Sequence, residues 1–477
     1  MKRYSLLRRC GLTAVLMLLL MLILAPFAQA KRAAEPYEGS GYQVRILLSS
    51  STAASTTIRI SSGEYLILNG DDDVLATVEE GESVRLSCSS GGVEYSTDSD
   101  DGYDSEIYVL PVDADCLFTY NGTSYRGGFR LAKNGNYYYA INIVDVELYL
   151  YGVIGRELGY SYHIEALKAQ AVASRSYALA NIKSTNTYYD MSATTSSQVY
   201  GGYNGESSST RQAVDDTYAM TIMYRGKPVE AYFSSNAGGY TEDIEKVWYS
   251  DAVPIKGVPS PYDKYAGNYS SYGAACYSWT VTYSADKLVS LANAYGKTDI
   301  GEFESISMLT SYNGQTSVSD RAMIVTITGS KGKVSATKDN IRSLLNLKST
   351  LITIEEVGGG SAADPVAGYV LGRGNQLKAW SDFGDLFAMG HSLAKMKANG
   401  DADSFYVING SGQVKKVDKT AATGASGDSV VIRGYGYGHG VGMSQWGAIA
   451  MADDGYDWEE IIEHYYCSGG PEIEAYY

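Results

Sequence analysis

A single glutamate, Glu157, lies in a setting that suits an acid catalyst. It follows the apolar run "LYLYGVIG" and precedes Gly159 in a short connection between two segments with helical patterns. A carboxyl group held against apolar residues keeps its proton to higher pH, which is what a general acid for glycosidic cleavage requires. Composition alone does not separate Glu157 from the chain's 54 acidic residues. The case for this residue therefore depends on the motifs around it.

The segment that follows, residues 163–183, predicts a buried helix with an ionic stripe. Small and apolar side chains cover two of its faces at helical spacing, which is typical of a helix enclosed on most sides. Glu165, Lys168, Val172 and Arg175 step by three or four residues and so stack on one side. Two interpretations stay open: a stripe of structural ion pairs, with Glu165 favoured by the helix dipole, or part of a functional site.

A second unusual stretch, "RGYGYGHGVGMSQWGA", has glycine at every second position from 434 to 442. One face of this glycine ladder lacks side chains, and such a strip lets a ligand or another chain segment approach closely. We expect the ladder to form a wall of a groove beside Glu157, with His439 mounted in it. Ser444 is expected to be the N-cap of a following helix. The stretch misses the last glycine of a G-x-S-x-G elbow, which disfavours serine hydrolase chemistry.

Cysteine and histidine give little support for a metal site. After the N-terminal segment the chain has Cys88, Cys116, Cys276 and Cys467. Two disulfides or four free thiols are both compatible with this number. His464 and Cys467 could present two zinc ligands, but two ligands do not make a site. We therefore expect structural packing there.

The N-terminus predicts export. Four basic residues precede the apolar run "LTAVLMLLLMLILA", and Ala28–Ala30 form a small-x-small cleavage pattern. The uncharged run is also long enough to span a bilayer. Cleaved signal and retained anchor both stay open, and in either case the remaining chain is expected outside the cytoplasmic membrane. The formal net charge of −16 and the lack of a later basic run exclude phosphate-dominated binding of nucleic acid. A neutral substrate fits better.

The pattern of elements predicts an α+β fold. It has a β-rich N-terminal part, a mixed α/β core and a small inserted module near the C-terminus. We expect strands over 42–60 and 64–87, a loop over 89–105, a hairpin turn at Asn121-Gly122, and helices over 145–155, 163–183 and 206–218. A strand "AMIVTITG" lies between two further helices, and Asp457 and Glu460 predict a capping box for the last helix.

The inserted module lies between two linker-like segments, 357–368 and 421–428. Its ends resemble each other, which suggests two hairpins around a short helix. The expected divisions of the chain are 1–30 (signal or anchor), 31–106 (β-rich region), 107–360 (first part of the core), 361–428 (inserted module) and 429–477 (closing part of the core).

Three long motifs resemble the signature of the stage II sporulation protein D family. They are "YLYGVIGRELGYSYHIEALKAQAVASRSYAL", the stretch from "SSQVYGGYNGES" to "SSNAGGYTEDIEKVW", and "GYGYGHGVGMSQWGAIAMADDGYDWEEIIEHYY". The resemblance covers most of 107–357 and 430–469. This chain departs from the family where proline is usual before the glutamate and methionine-proline after it. Gly155, Leu158 and Gly159 stand there, and His163 or Tyr162 replaces the usual tryptophan.

The resemblance implies a cell-wall protein of one of two kinds. One kind is a lytic transglycosylase that cuts glycan between N-acetylmuramic acid and N-acetylglucosamine, with Glu157 as its acid. The other is an enhancer that stimulates a partner cell-wall amidase. The implied partners are peptidoglycan glycan strands and an amidase, without nucleic acid, and with membrane contact only through the N-terminal segment. Some members hold zinc through cysteines near "SSNAGG"; none stands there, so we expect no metal and no cofactor. The residues implied around the substrate are Gln170, Arg175, Gln198, Tyr200, Ser234, Ser235, His439 and Gln445.

Overall fold

The computed structural model describes residues 35–183, 187–248, 254–357 and 429–477, and the backbone of six short strands between 368 and 418. Residues 1–34, and the two linker-like segments apart from Val357 and Gly368, lie outside the described residues. The mixture of helices and strands confirms the α+β class. No helix in the described part is long and apolar enough to cross a membrane.

The described chain divides into two compact units. The first comprises 35–148 with 187–192, and the second the described residues from Tyr149 to 183 and from Ala193 to Tyr477. The expected division at residue 106 therefore does not coincide with the boundary of a unit. Strands of 107–145 pair with strands nearer the N-terminus, because their alternating apolar residues complete the same sheet.

The first unit is built from short antiparallel strands in two sheets. Its strands are β1 (Gln43–Ser51), β2 (Ser55–Ser62), β3 (Tyr65–Asn69), β4 (Val74–Val78), β5 (Ser83–Cys88), β6 (Val93–Ser96), β7 (Asp101–Asp104), β8 (Ile107–Pro111), β9 (Leu117–Tyr120), β10 (Thr123–Tyr125), β11 (Gly128–Asn134), β12 (Tyr137–Asp145) and β13 (Met191–Ser192). One sheet has the order β13-β1-β12-β11-β8-β3-β4, with β13 parallel to β1, and the other the order β10-β9-β2-β5-β6-β7.

Both sheets contribute to one apolar core. Ile67 and Phe129 of the first sheet and Ile58 and Phe118 of the second are buried in the same cluster. This alternation of inward apolar and outward polar residues is what the sequence pattern of the region predicts.

Two local expectations in this unit have different outcomes. The hairpin turn at Asn121-Gly122 is confirmed, since both residues have positive φ, 47° and 80°, as a type I′ turn requires. The loop over 89–105 is wrong, because it contains the paired strands β6 and β7. The missed signal is the alternation around Val93 and Tyr95, whose side chains are buried while their neighbours are exposed.

The helices of the second unit confirm the expected segments within a few residues. They are α1 (Val146–Glu157, within this unit from Tyr149), α2 (Ile164–Ala180), α3 (Ser208–Asp216), α4 (Ile244–Val247), α5 (Ser271–Tyr277), α6 (Ala285–Gly296), α7 (Asn340–Leu345), α8 (Gln445–Asp453) and α9 (Trp458–Tyr466), with 3₁₀ turns at Gly202–Gly205, Pro261–Asn268 and Cys467–Gly469. Ser444 caps α8 through its side chain, and Asp457 and Glu460 form the capping box of α9.

The strands of this unit form several small sheets. Their bounds are β14 (Met220–Tyr224), β15 (Lys227–Pro228), β16 (Phe233–Ser234), β17 (Ser278–Ser284), β18 (Phe303–Leu309), β19 (Ser311–Tyr312), β20 (Gln315–Thr316), β21 (Ile324–Gly329), β22 (Gly332–Thr337), β23 (Leu351–Val357), β24 (Gly368–Leu371), β25 (Leu377–Trp380), β26 (Phe387–Met389), β27 (Lys395–Lys397), β28 (Ser404–Ile408), β29 (Val414–Asp418), β30 (Ser429–Tyr435), β31 (Met443–Ser444) and β32 (Glu472–Ala475).

Two of these sheets share a core with helices α6 and α7. Their orders are β17-β30-β23 and β18-β21-β22, and their inner residues include Ile306, Ile327 and Ile432. Leu288 of α6 and Leu344 of α7 are buried in the same cluster. The strands that lead into and out of the inserted module, β23 and β30, both belong to this part of the unit.

In its described strands, the inserted module has three hairpins rather than two around a helix. Strands β24–β25, β26–β27 and β28–β29 pair within themselves, so the expected outer hairpins are confirmed. The helix between them is wrong, because Phe387–Met389 pairs with Lys395–Lys397 as strands. A short apolar run does not by itself separate helix from strand.

The two ends of the module meet as neighbouring strands. β23 and β30 are antiparallel, and their last register pair is Val357 with Ser429. We predict that replacing residues 358–428 with a two-residue Asn-Gly turn leaves a soluble protein with a cooperative melt, since such a turn closes an antiparallel pair. Thermal melting of the shortened chain measures this. Loss of the cooperative transition would show that the module packs into the second unit.

Candidate functional site

A cavity of about 580 Å³ in the second unit brings Glu157 together with residues from distant parts of the sequence. Its walls come from the end of α1, the loop before Val199, the strand β16, the glycine ladder and the first turn of α8. Most of the predicted site residues line it, namely Glu157, Gln198, Ser234, Ser235, His439 and Gln445. The motifs that are far apart in the chain therefore converge on one site.

Glu157 is the last residue of α1 and is half-buried in this cavity. Its Oε1 accepts a hydrogen bond of 2.6 Å from the backbone N–H of Val199. Burial raises the pKa of the Glu157 carboxyl, and the Val199 N–H opposes this only in part. The partial negative charge at the end of a helix also disfavours a carboxylate there. Among the described residues no cation forms an ion pair with it, so the group is poised to hold a proton.

A chain of amides fixes the backbone of Glu157. Gln445 Nε2 donates to the carbonyl oxygen of Glu157 at 3.1 Å, and it also lies 3.3 Å from Gln170 Oε1, to which it donates. Gln170 is fully buried and donates to Ser174 Oγ at 2.9 Å. The last carbonyls of a helix lack partners within the helix, so Gln445 satisfies one of them. Gln170 is thus a positioning residue behind the wall, rather than a residue that meets the substrate.

Gln198 holds the segment that carries the Val199 N–H. Its Oε1 accepts from the Tyr149 hydroxyl at 3.2 Å, and its Nε2 donates to the Ser174 carbonyl at 3.3 Å. The side chain has no exposed surface, although the residue contributes to the lining of the cavity. Both amide groups are used inside the protein, which assigns Gln198 to positioning the hydrogen bond on Glu157.

Arg175 and Tyr200 do not line the cavity, which corrects two of the predicted substrate contacts. Arg175 is fully buried and donates to the carbonyls of Met220 and Val214 at 3.0 and 3.3 Å. The Tyr200 ring packs against Tyr149 at 4.9 Å between centroids. The spacing that placed them in the motif reflects core packing, which sequence alone does not distinguish from a groove.

The other charges of the predicted stripe are structural as well. Lys168 Nζ lies 3.0 Å from Glu165 Oε1 and 3.2 Å from Asp216 Oδ2. Glu165 Oε2 accepts from the N–H of Trp458, the first residue of α9. These contacts join α2 to α3 and α9. The stripe therefore supports the structural interpretation, and Lys168 does not brace the Glu157 region.

The opposite wall offers hydrogen-bonding groups for a polar ligand. Ser234 Oγ is buried and has no hydrogen-bond partner, and Ser235 Oγ lies 3.6 Å from the weak acceptor Cys276 Sγ and bonds the side chain of Tyr272. His439 Nδ1 accepts from the Val441 N–H at 3.0 Å. Burial lowers the pKa of His439 to about 4, so the ring is neutral near pH 7 and its Nε2 carries the proton.

Aromatic side chains that sequence reasoning did not select complete the cavity. Trp248 packs on the His439 ring at 4.9 Å between centroids, and Tyr162 meets Trp446 edge-on at 5.7 Å. Arg342 of α7 also lines the site and donates to Asp339. Trp248 and Trp446 lie inside the quoted motifs, so their ring type was an available signal. Arg342 lies in a segment with only a helical pattern, which gives no hint of a site.

Only part of the glycine ladder forms the expected groove wall. A Cβ added at Gly438 would lie 2.5 Å from Ser234 Cβ, and one at Gly440 would lie 2.2 Å from Arg321 Nη2. Both residues have positive φ, 115° and 76°. The bare face thus meets other parts of the protein, and only Tyr437, Gly438 and His439 of this region line the cavity. Glycine is needed here for close packing and left-handed backbone.

Ser444 has a structural role in capping α8. Its hydroxyl donates to Asp263 Oδ1 at 2.5 Å and accepts from the Ala237 and Gly447 N–H groups. Burial raises the pKa of Asp263 to about 6, while hydrogen bonds from Ser444, Gly239 and Ser260 oppose the rise. The serine has no exposed surface, which excludes it as a nucleophile for a substrate in the cavity.

The cysteines and the last histidine also have structural environments. Cys88, Cys116, Cys276 and Cys467 are free thiols in the structure, so the disulfide alternative is not what it shows. His464 Nε2 lies 2.8 Å from the Pro259 carbonyl. In the described residues no group of three or more His, Cys, Asp and Glu side chains is placed to hold a metal ion.

Comparison with known families agrees with this arrangement. Residues 134–224, which contain Glu157 and the segment that bonds it, match the family model described as Stage II sporulation protein. The resemblance to the stage II sporulation protein D family is thereby confirmed over this range. Residues 264–374 match a second model, described as a domain of unknown function (DUF8618), and this range includes α5, α6 and α7.

Several curated proteins are similar to this chain. An uncharacterized protein of Brachyspira hyodysenteriae is 29% identical over 75% of this chain and 74% of its own length. The Stage II sporulation protein D of Bacillus subtilis is 23% identical over 69% of this chain and 74% of its own. The amidase enhancer of Bacillus subtilis is 28% identical over 66% of this chain, and the match spans 39% of that protein.

Substitution in the ladder tests its role in packing. We predict that Gly440→Ala lowers the free energy of unfolding by about 3 kcal/mol or more, since it adds a clash with Arg321 to backbone strain. Arg321 is held in place by its bond to the Ala237 carbonyl. Gly455→Ala is the matched control, because Gly455 has φ of 99° but no atom within 4 Å of an added Cβ. It should cost about 1 kcal/mol. Equal losses in denaturant unfolding would contradict close packing at Gly440.

Proposed function

We propose that this chain is a peptidoglycan lytic transglycosylase with Glu157 as its general acid and base. The observation that supports this best is the setting of the Glu157 carboxyl. It lines a large cavity, its pKa is raised by burial, and its recorded hydrogen bond is a single backbone N–H. Such a group is protonated at higher pH than an exposed glutamate, and it can donate that proton to a leaving oxygen.

The reaction that this setting favours uses the sugar's own nucleophile. Glu157 gives its proton to the bridging glycosidic oxygen as the bond from that oxygen to muramic acid C1 breaks. The 6-hydroxyl of the same muramic acid then attacks C1, and the Glu157 carboxylate takes the hydroxyl proton. The products are a 1,6-anhydro-muramic end and a new free hydroxyl on the departing sugar.

The number of carboxyl groups that line the cavity fits this route. Within the part of the chain that the structure describes, Glu157 is the only Asp or Glu that lines the cavity. Ordinary glycosidases need two carboxyl groups, one for the leaving group and one for water or the covalent intermediate. An internal hydroxyl nucleophile removes the need for the second.

The opposite wall supplies groups that suit an N-acetylated sugar. Ser234 Oγ, which has no partner in the protein, can bond a hydroxyl or amide group of the sugar, whereas the N–H of the neutral His439 ring is used by the Phe233 backbone and helps to fix the ring in the wall. Trp248 and Tyr162 offer apolar ring surface for the sugar faces. These side chains are uncharged, and among the described residues Arg342 is the one cation that lines the cavity.

A second candidate function is that of a wall-binding protein that stimulates a cell-wall amidase. Two observations favour it. One is the similarity to an amidase enhancer, and the other is the departure at Gly155, Leu158 and Gly159 from the residues usual around the glutamate. In this case the same cavity would bind glycan without cleaving it, and an amidase would be the partner.

Both functions require contact with the cell wall. We propose that the chain is exported through its N-terminal segment and acts outside the cytoplasmic membrane, either secreted or anchored by that segment. Peptidoglycan glycan strands are the proposed ligand in each case.

Substitution of Glu157 separates the two functions. We predict that Glu157→Gln abolishes the release of 1,6-anhydro products from purified glycan strands, because it removes the proton donor at nearly constant volume. The amide oxygen can still accept from the Val199 N–H, so glycan binding and a cooperative melt should be preserved. Mass analysis of the digestion products measures cleavage, and a pull-down on insoluble glycan measures binding.

Glu165→Gln is the matched control for this experiment. Glu165 pairs with Lys168 and bonds the start of α9, away from the lining of the cavity. It should keep the wild-type cleavage rate and lose about 1 kcal/mol or less of stability. Cleavage by Glu157→Gln at the wild-type rate would rule out Glu157 as the acid. Glycan binding without cleavage by the wild-type chain would favour the enhancer.

The raised pKa of Glu157 also predicts how stability depends on pH. Between the ordinary pKa of glutamate and the raised one, the folded chain holds a proton that the unfolded chain has released. The free energy of unfolding of the wild-type chain therefore falls as pH rises through this window. Glu157→Gln lacks that fall, so its melting temperature should increase relative to that of the wild type as pH rises through the window. A difference that stays constant in melts over a pH series would contradict the raised pKa.

A further inference from the structure

A second cavity of about 450 Å³ lies elsewhere in the same unit and is absent from the reaction described above. Its walls come from the 3₁₀ turn Pro261–Asn268 and from the last turn of α8. The side chains that define it are Tyr262, Tyr265, Tyr269, Lys264, Asp453 and Asp454. Three aromatic rings with charged groups of both signs make this a polar aromatic site rather than an apolar groove.

Helix α8 forms a wall of both cavities. Trp446 and Ile449 of this helix line the Glu157 cavity, whereas Ala450 and Asp453 line the second one. Ala450 follows Trp446 by four residues, so it lies one turn, about 6 Å, further along the helix axis. The two cavities are therefore consecutive along one helix.

The segment around Tyr269 also contributes to both cavities. Tyr269 lines the second cavity and the next residue, Ser270, lines the Glu157 cavity. The rings of Tyr269 and Trp446 lie 5.7 Å apart between centroids with an angle of 35°. This aromatic pair spans the boundary between the cavities and joins their surfaces.

The acidic groups of the second cavity are held by phenols. Tyr262 donates to Asp454 Oδ2, and Tyr269 donates to Asp453 Oδ2, each at 2.6 Å. These bonds fix the rings and orient the carboxylates. A fixed carboxylate beside a fixed ring is suited to accept from a sugar hydroxyl while the ring packs against the sugar face.

The charged groups disfavour an anionic ligand and suit a neutral polar one. Asp453 and Asp454 outnumber Lys264, whose Nζ lies 4.9 Å from the centre of the Tyr265 ring. An anionic ligand would therefore meet a net negative lining. A ligand rich in hydroxyl and amide groups avoids this penalty and can use groups of both signs as hydrogen-bond partners.

We propose that the tyrosine cavity is a second carbohydrate-binding subsite, which holds a distal part of the glycan strand whose cleavage point lies at Glu157. This inference rests on the proposed function in taking glycan as the ligand. It adds that affinity depends on strand length, because only a longer strand reaches from the Glu157 cavity along α8 to the tyrosines.

The test compares binding of two probes, the disaccharide and the hexasaccharide of β-1,4-linked N-acetylglucosamine, by calorimetry on the full chain. We expect the wild type to bind the hexasaccharide about tenfold more tightly than the disaccharide, which is about 1.4 kcal/mol. Tyr265→Ala should remove this gain and leave disaccharide binding unchanged. The ring of Tyr265 is 41% exposed, so its loss should not disturb folding.

Two further variants complete the test. Asp454→Asn should weaken hexasaccharide binding alone, and Tyr295→Ala should change neither affinity. Tyr295 is the matched control, since it is a similarly exposed tyrosine (39%) on α6 and lines neither cavity. A wild type without a length effect, or a Tyr265→Ala variant that retains it, would overturn the subsite.

This result is independent of the cleavage assay. A chain that binds in a length-dependent way but releases no anhydro ends would keep the subsite and lose the transglycosylase. A chain that cleaves glycan but shows no length effect would lose the subsite only.

Discussion

The arrangement of the site depends on keeping one carboxyl group partly out of water with no cation beside it. An ion pair would stabilise the Glu157 carboxylate and lower its pKa, which would remove the proton that an acid needs. Burial without a partner carries a free-energy cost. The neighbouring polar groups add no further cost, because they are hydrogen-bonded. Gln445 donates to the Glu157 carbonyl, and the Val199 N–H donates to the Glu157 side chain.

Glycine makes this placement of Glu157 possible. A Cβ on Gly152 would lie 2.6 Å from the Gly202 carbonyl oxygen, and a Cβ on Gly155 would lie 2.3 Å from that of Gly205. Helix α1 and the turn Gly202–Gly205 therefore meet backbone to backbone. This close contact brings the segment before the turn, and with it the Val199 N–H, to the end of α1. The departure from proline at Gly155 thus has a packing reason in this chain.

The elements and the convergence of the motifs could be predicted from the sequence better than the roles of single residues. Helical spacing located α2, and the family resemblance placed Glu157, His439 and Gln445 together. Neither the spacing nor the resemblance separated residues that face the cavity from residues that support it, because Arg175 and Gln170 would have the same spacing in either role. The glycine ladder shows the same limit, since a missing side chain indicates close approach without saying what approaches.

Asp263 links two walls of the proposed extended glycan site. It lies in the turn Pro261–Asn268, yet its carboxylate accepts from Ser444, the N-cap of α8. The same carboxylate accepts from the Gly239 N–H, in the segment that follows Ser234. Because burial raises its pKa to about 6, these donors do not fully offset the loss of water. One buried group therefore sets the spacing between the tyrosine wall, α8 and the serine wall, so the two cavities keep a fixed relation within this unit.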